Sequence, residues 1–377
     1  MRISFILAFL FINLSAVFAQ DFSNKGKDFW LGYGYHVRYV TGNPVNGQEM
    51  VLYFATDVVT NIKIEIPATG YVQNLTNVAA GTIVTSAPIP KSGTQDARLT
   101  GEGVFNSGIH VTSDKPVVAY AHIYNGNVSG ATLLFPTNTL GKEYYSMNYT
   151  QVSNEGASNG FFFAVATDTG TTTIEVTPSA STLTHAAGVP FNVTLTQGQI
   201  YNVMGALNGN NGSDLSGSKI RSLSTGSVAC KKIAVFSGAG KMRIACTGNA
   251  NSSDNLFAQA FPKTAWGKKF LTSPTKNMPF NYFRIGVSDP TTVVKVNNTV
   301  ITGLTANFYY DLPITDQPKL IEADKPIMVA QYVTTASTCG NSFTNDGDPE
   351  MIYISPIEQT IDKVVLNSTS NFAINSN

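Results

Sequence analysis

An all-β chain of tandem antiparallel β-sandwich-like units with Gly/Asn-rich loops is what this sequence predicts, and three observations carry that expectation. One phrase occurs three times, at residues 108–125, 218–241 and 318–334: an apolar alternating run, a short polar stretch, then a second run dense in Val, Ile, Ala and aromatics. Helical periodicity is nearly absent; most windows alternate, as at 62–67, or form short apolar runs bounded by Gly, Pro, Asn and Asp. Turn signals recur about every ten residues, the spacing of antiparallel sandwiches.

The elements follow in order. Residues 1–19 read as a secretory leader, with Arg2 ahead of an apolar run and Val17-Phe18-Ala19 before a cleavage point at Gln20. The run is shorter than the roughly 20 apolar residues a membrane span needs. Three β units are expected over 20–140, 141–266 and 267–360, opening with GKDFWL at Gly26, GKEYYS at Gly141 and GKKFLT at Gly267. Their spacings of 115 and 126 residues suit whole domains rather than solenoid repeats. Residues 361–377, beginning IDKVVL, read as the opening of a further unit or as a strand completing an earlier sheet.

Inside each unit an acidic turn joins two strands, at Asp57, Asp168 and Asp289. Each polar stretch of the repeated phrase is expected to be a turn between two strands, with Pro116 and Pro326 where the turn enters the second strand. Closing phrases follow: ATLLFPTNTLGKEY, NLFAQAFPKTAWGKKF and PEMIYISPIEQTIDKV. Loops rich in Gly, Asn and Ser at 205–219, 247–255 and 337–350 are the candidate contact surfaces. The residues singled out there are Asn208, Asn210 and Asp214, then Asn251 and Asp254, then Asn341 and Asn345.

Composition excludes several classes. Lys plus Arg and Asp plus Glu both number 24, so nothing draws nucleic acid or an anionic membrane over long range. An apolar content of 43% supports packed cores. Cys230 and Cys246 flank a segment that reads as a hairpin, which allows a local disulfide, and Cys339 is an equal alternative partner. His110 and His122 are placed on facing strands of one hairpin, with no further Cys or His neighbour to make up the three or four ligands of a zinc site. Ser216-x-x-Lys219 lacks the companion motifs of an acyl-transfer enzyme, and residues 237–242 read as a strand-end turn. Asp346, Asp348 and Glu350 offer hard oxygen ligands for calcium, in a sequence that is also ordinary turn chemistry. No other cofactor is expected. Recurrence of Asp57, Asp168 and Asp289 at equivalent turns points to scaffold, not to a catalytic carboxylate pair.

The run SDKPVVAYAHIY…ATLLFPTNTLGKEYY, then GSDLSGSKIRSLSTGSVACKKIAVFSG, NLFAQAFPKTAWGKKF and GDPEMIYISPIEQT, resembles the N-terminal domain of IgGFc-binding proteins over residues 26–366. The form found in secreted proteins of Bacteroidetes looks most similar. The resemblance implies an extracellular, non-catalytic module for binding or adhesion, named for attachment to the Fc part of immunoglobulin G. The expected partner is an extracellular protein or glycan, without nucleic acid and without a membrane span in the mature chain. A structural spacer carrying a downstream domain, or a secreted carbohydrate-active enzyme, are the alternatives.

Overall fold

The computed structural model describes residues 24–226, 229–245, 252–275, 280–335 and 348–360. Among them the only helical elements are single 3₁₀ turns; everything else regular is β-strand, and every strand ladder is antiparallel. The molecule is all-β.

The repeated phrase is not a strand, a turn and a strand. In its first copy it is one 16-residue strand, Ile109–Tyr124. Its first half pairs with Gly26–Leu31 and Thr60–Ile66; its second half pairs with Glu49–Thr56 and Ser129–Leu133. Asp114, Lys115 and Pro116 are exposed where the strand passes from one set of partners to the other. A proline without an N–H fits such a bend. The third copy, Lys319–Val333, repeats the arrangement: Gly267–Thr272 and Val294–Val296 flank its first half, Asn281–Val287 and Glu350–Ile354 its second. Only the middle copy is split, into Lys219–Leu223 and Ile233–Met242.

Two expectations fall with that correction. His110 and His122 lie twelve positions apart on one extended strand and do not face each other. His110 instead stacks on Trp30 at 4.2 Å and bonds Asp28 at 2.9 Å. His122 bonds the Tyr53 hydroxyl at 3.1 Å and Ser129 at 2.8 Å, and burial lowers its pKa to about 4, leaving a neutral ring. The segment between Cys230 and Cys246 is likewise no hairpin. Ile233–Met242 is a continuous strand, buried throughout, so residues 237–242 are strand interior and not a turn. Small residues are needed there: a Cβ on Gly238 would stand 1.8 Å from the Leu256 carbonyl oxygen. Cys230 is half-buried, while Cys246 and Cys339 lie outside the described residues.

Strand Gly160–Ala166 (GFFFAVA) explains how the layers join, being buried on both faces. Side chains alternate along a strand. Phe161, Phe163 and Val165 accordingly enter the core with Phe29, Leu31, Phe54 and Val111. Phe162, Ala164 and Ala166 enter a second core with Ile174, Val176 and Ile220. Ala239, Leu256 and Ala258 pack in a third with Trp266, Met328 and Tyr332, and a fourth fills the last sheet around Phe270, Phe283 and Ile327. One strand, Gly103–Phe105, leaves the first stretch of chain to pair with Ile200–Met204 of the next.

Candidate functional site: a groove among the three closing strands

The closing phrases become the strands Ser129–Leu133, Asp254–Gln259 and Glu350–Ile354. Each runs into a proline and a 3₁₀ turn: Pro136 with Thr137–Thr139, Pro262 with Lys263–Ala265, Pro356 with Ile357–Gln359. Extended backbone at each proline sets the corner. The three strands and their turns together line a groove of about 740 Å³, within the range of about 300–1,000 Å³ typical of ligand sites.

Side chains, not a ladder, hold the first two strands together. The Gln259 backbone N–H donates to the Thr132 hydroxyl at 2.9 Å, and the Phe135 N–H donates to Gln259 Oε1 at 2.7 Å. At the other end the Ser129 N–H donates to Asp254. Gly130 permits this approach, since a Cβ there would meet Asn255 Oδ1 at 2.3 Å. The walls are mainly apolar, with Leu133, Phe135, Phe261, Met351, Ile352 and Tyr353 prominent. Phe135 stacks on Phe261 at 5.0 Å, and Phe261 meets Tyr353 at 5.6 Å.

One polar group in the wall is unsatisfied. Gln259 lines the groove at 2% exposure, and its Nε2 has no hydrogen-bond partner. Its Oε1 is spent on the Phe135 N–H, and the Nε2 is enclosed in the wall rather than presented to the groove. Glu350, the only acidic or basic side chain lining the groove among the described residues, stands at the start of its strand, as Ser129 and Asp254 do. Burial pushes its carboxyl up to about 8, helped by the charge of Asp348. Asp254 is also raised to about 8, by burial first and then by Asp348, against the bonds from the Ser129 and Asn255 N–H groups. With Glu350 raised in this way, its carboxyl favours the neutral form near neutral pH and adds little charge to the groove.

Sequence reasoning placed function in the three loops, and the structure distributes those residues differently. Asn208 and Asn210 are exposed at the tip of a small hairpin, Leu207–Asn208 with Asn211–Gly212. Asp214 is drawn inward to an ion pair with Arg284 at 2.8 Å. Asp254 is buried and belongs to a strand, where Asp348 of the neighbouring candidate site meets it. Asp348 is exposed and takes a hydrogen bond from Ser252 at 3.1 Å. Asn251, Asn341, Asn345 and Asp346 lie outside the described residues. Among the described residues no three His, Cys, Asp or Glu side chains converge so as to hold a metal ion.

Gln259, Thr132 and Tyr353 were not singled out from the sequence. Their signal was the recurrence of the closing phrase, which as text marks a boundary and in space marks a shared wall.

No curated protein and no solved structure matches this chain. The family described as IgGFc binding protein matches residues 130–377, which takes in all three groove strands apart from Ser129. With well over half of its length matched, the chain belongs to the IgGFc-binding protein family.

Proposed function

We propose that this chain is an extracellular, non-catalytic binding module, and that it holds an uncharged, largely apolar segment of a protein partner in the groove. The groove's mainly apolar, aromatic-bearing walls, contributed by three strands that close successive stretches of the chain, are the observation that carries this reading. A protein ligand supplies what that geometry asks for, apolar side chains on an uncharged segment. The family's name makes immunoglobulin Fc the first ligand to try. The reading of residues 1–19 as a secretory leader supports export. The non-catalytic reading draws on the recurrent acids, which are tied to their own scaffold. Asp57 bonds Lys25 at 2.7 Å, Asp168 takes the Lys232 N–H at 3.1 Å, and Asp289 bonds Lys325 at 2.5 Å.

The test uses the immobilised chain against purified Fc and against serum before and after IgG depletion. Ile352 is 44% exposed on the groove wall, so Ile352→Glu adds a charge without disturbing a core. It should cut retention at least tenfold, whereas Asn208→Ala with Asn210→Ala should leave it unchanged. Loss in the hairpin variant with retention in Ile352→Glu would move the site to the loops. Undiminished binding from IgG-depleted serum would remove Fc as the ligand.

A further inference from the structure

Three strand pairs are built alike: Glu49–Thr56 with Ile109–Tyr124, Gly160–Ala166 with Ile233–Met242, and Asn281–Val287 with Lys319–Val333. Residues directly opposite on paired strands share a face. One face of each pair fills its own stretch's core, through Phe54 and Ala119, Ala164 and Val235, and Ile285 and Val329.

The other face is where the three part company. In the second pair, Phe161, Phe163 and Phe236 lie in the core of the preceding stretch with Phe29 and Leu31. Gly34 of that stretch makes room for them, since a Cβ there would meet Phe161 at 2.1 Å. In the third pair, Arg284 and Tyr332 both donate to the Asn148 carbonyl of the stretch before, and Met328 packs with Tyr145 and Ala258. The corresponding face of the first pair carries Tyr53, Tyr120, His122 and Tyr124, all half-buried. Among the described residues no earlier stretch covers it.

The last stretch shows the complementary vacancy. Tyr145, four residues after Gly141, and Ala258, four before Pro262, are buried in the core that receives Met328 and Tyr332. Their counterparts in the last stretch are Leu271, four after Gly267, and Ile352, four before Pro356. These are 63% and 44% exposed. One end of the molecule thus bears an uncovered aromatic face, of the kind that interfaces favour, and the other bears the apolar positions that take such a face inside the chain.

We propose that a second copy of this chain docks head to tail, its Leu271 and Ile352 end receiving the Tyr53, Tyr120, His122 and Tyr124 face of the first. The contact repeats the one successive stretches make within a chain. It is heterologous, so it propagates unless the rotation closes a ring. It does not rest on the function proposed above, although Ile352 belongs to both surfaces and the two uses compete there.

The test is sedimentation velocity of the full chain from micromolar to near-millimolar concentration. The mass of the unsubstituted chain should rise with concentration beyond that of a dimer. Leu271→Glu, at an exposed position off the groove, closes the tail, and Tyr120→Glu closes the head; each alone should stay monomeric. Mixed in equal amounts, they should form a dimer and nothing larger, because only one open head meets one open tail. Thermal midpoints check folding, and Tyr53→Glu replaces Tyr120→Glu if the latter melts early. A monomeric unsubstituted chain overturns the proposal, as does association that ignores Leu271→Glu or a mixture of folded variants that fails to pair. Leu271→Glu leaves the groove lining intact, so serum retention by that variant tests the groove separately.

Discussion

Arg284 is 1% exposed, yet its guanidinium is fully engaged. It reaches Asp214 at 2.8 Å, Ser216 at 2.6 Å and the Asn148 carbonyl at 3.2 Å, with Asp311 taking two further bonds at 2.7 and 3.0 Å. The Tyr309 ring lies 4.0 Å away, with Tyr149 and Tyr332 farther out. Removing the cation leaves the largely buried Asp214 carboxylate without its partner, while the half-exposed Asp311 returns to water, and breaking the buried pair from one side costs about 3 kcal/mol. Arg284→Ala should therefore lower the denaturation midpoint sharply, and Arg284→Lys should recover little, since lysine lacks the planar fork. Equal stability of Arg284→Ala and the parent in urea would refute this. Asp254 gives a pH signature instead. Its folded carboxyl, raised to about 8, keeps a proton that the unfolded carboxyl loses near its ordinary value of 3.8. Stability from that proton is complete below the unfolded value and is lost as pH rises toward 8, by at most about 1.4 kcal/mol per pH unit. Asp254→Asn should flatten the fall in Tm between pH 5 and 8.5. An unchanged slope would remove Asp254 as its source.

At the scale of elements, a glycine–proline seat recurs most faithfully: a Cβ on Gly26 would stand 2.3 Å from Pro136 Cβ, on Gly141 2.4 Å from Pro262 Cβ and on Gly267 2.2 Å from Pro356 Cβ. It supports the proposal that 20–140, 141–266 and 267–360 are diverged copies of one unit. Gly141→Ala or Gly267→Ala should cost about 1–3 kcal/mol by overpacking. Gly126→Ala, where a Cβ would meet nothing within 4 Å, should be near neutral and serves as control. If all three behave alike by thermal unfolding, the seat is not tight. The seat's members were legible in the sequence as landmarks, because a β chain writes its period and its turn residues locally. Class and strand content were legible for the same reason. Unreadable was the continuity of Ile109–Tyr124 through Asp114, Lys115 and Pro116. Those residues have turn chemistry, and only partners distant in sequence decide that the strand bends and goes on. The same holds for the groove: Thr132, Gln259 and Tyr353 are far apart in the chain, and no local pattern announces that their strands meet. Asp214 has the look of a loop contact until Arg284, 70 positions later, claims it.

The whole molecule is bound together by the strand Gly160–Ala166, whose two faces serve different cores. The core around Phe29 and Phe54 also contains Phe161, Phe163, Val165, Phe236 and Phe257, so the first stretch does not own the core it packs on. Phe163 is fully buried there, and Phe163→Ala should cost about 3–5 kcal/mol. Shared cores also predict shared cooperativity, and the two tryptophans are placed to report it. Trp30 sits in this first core and Trp266 in the third, with Met328 and Tyr332. Each can be watched alone, with Trp266→Phe leaving Trp30 and Trp30→Phe leaving Trp266. In urea, Phe163→Ala should shift the midpoint seen by Trp266 as far as the one seen by Trp30, because unfolding either core exposes a face of the sheet the other needs. A shift confined to Trp30, with Trp266 unmoved, would mean that the stretches unfold independently and that the sheet joins them without coupling them.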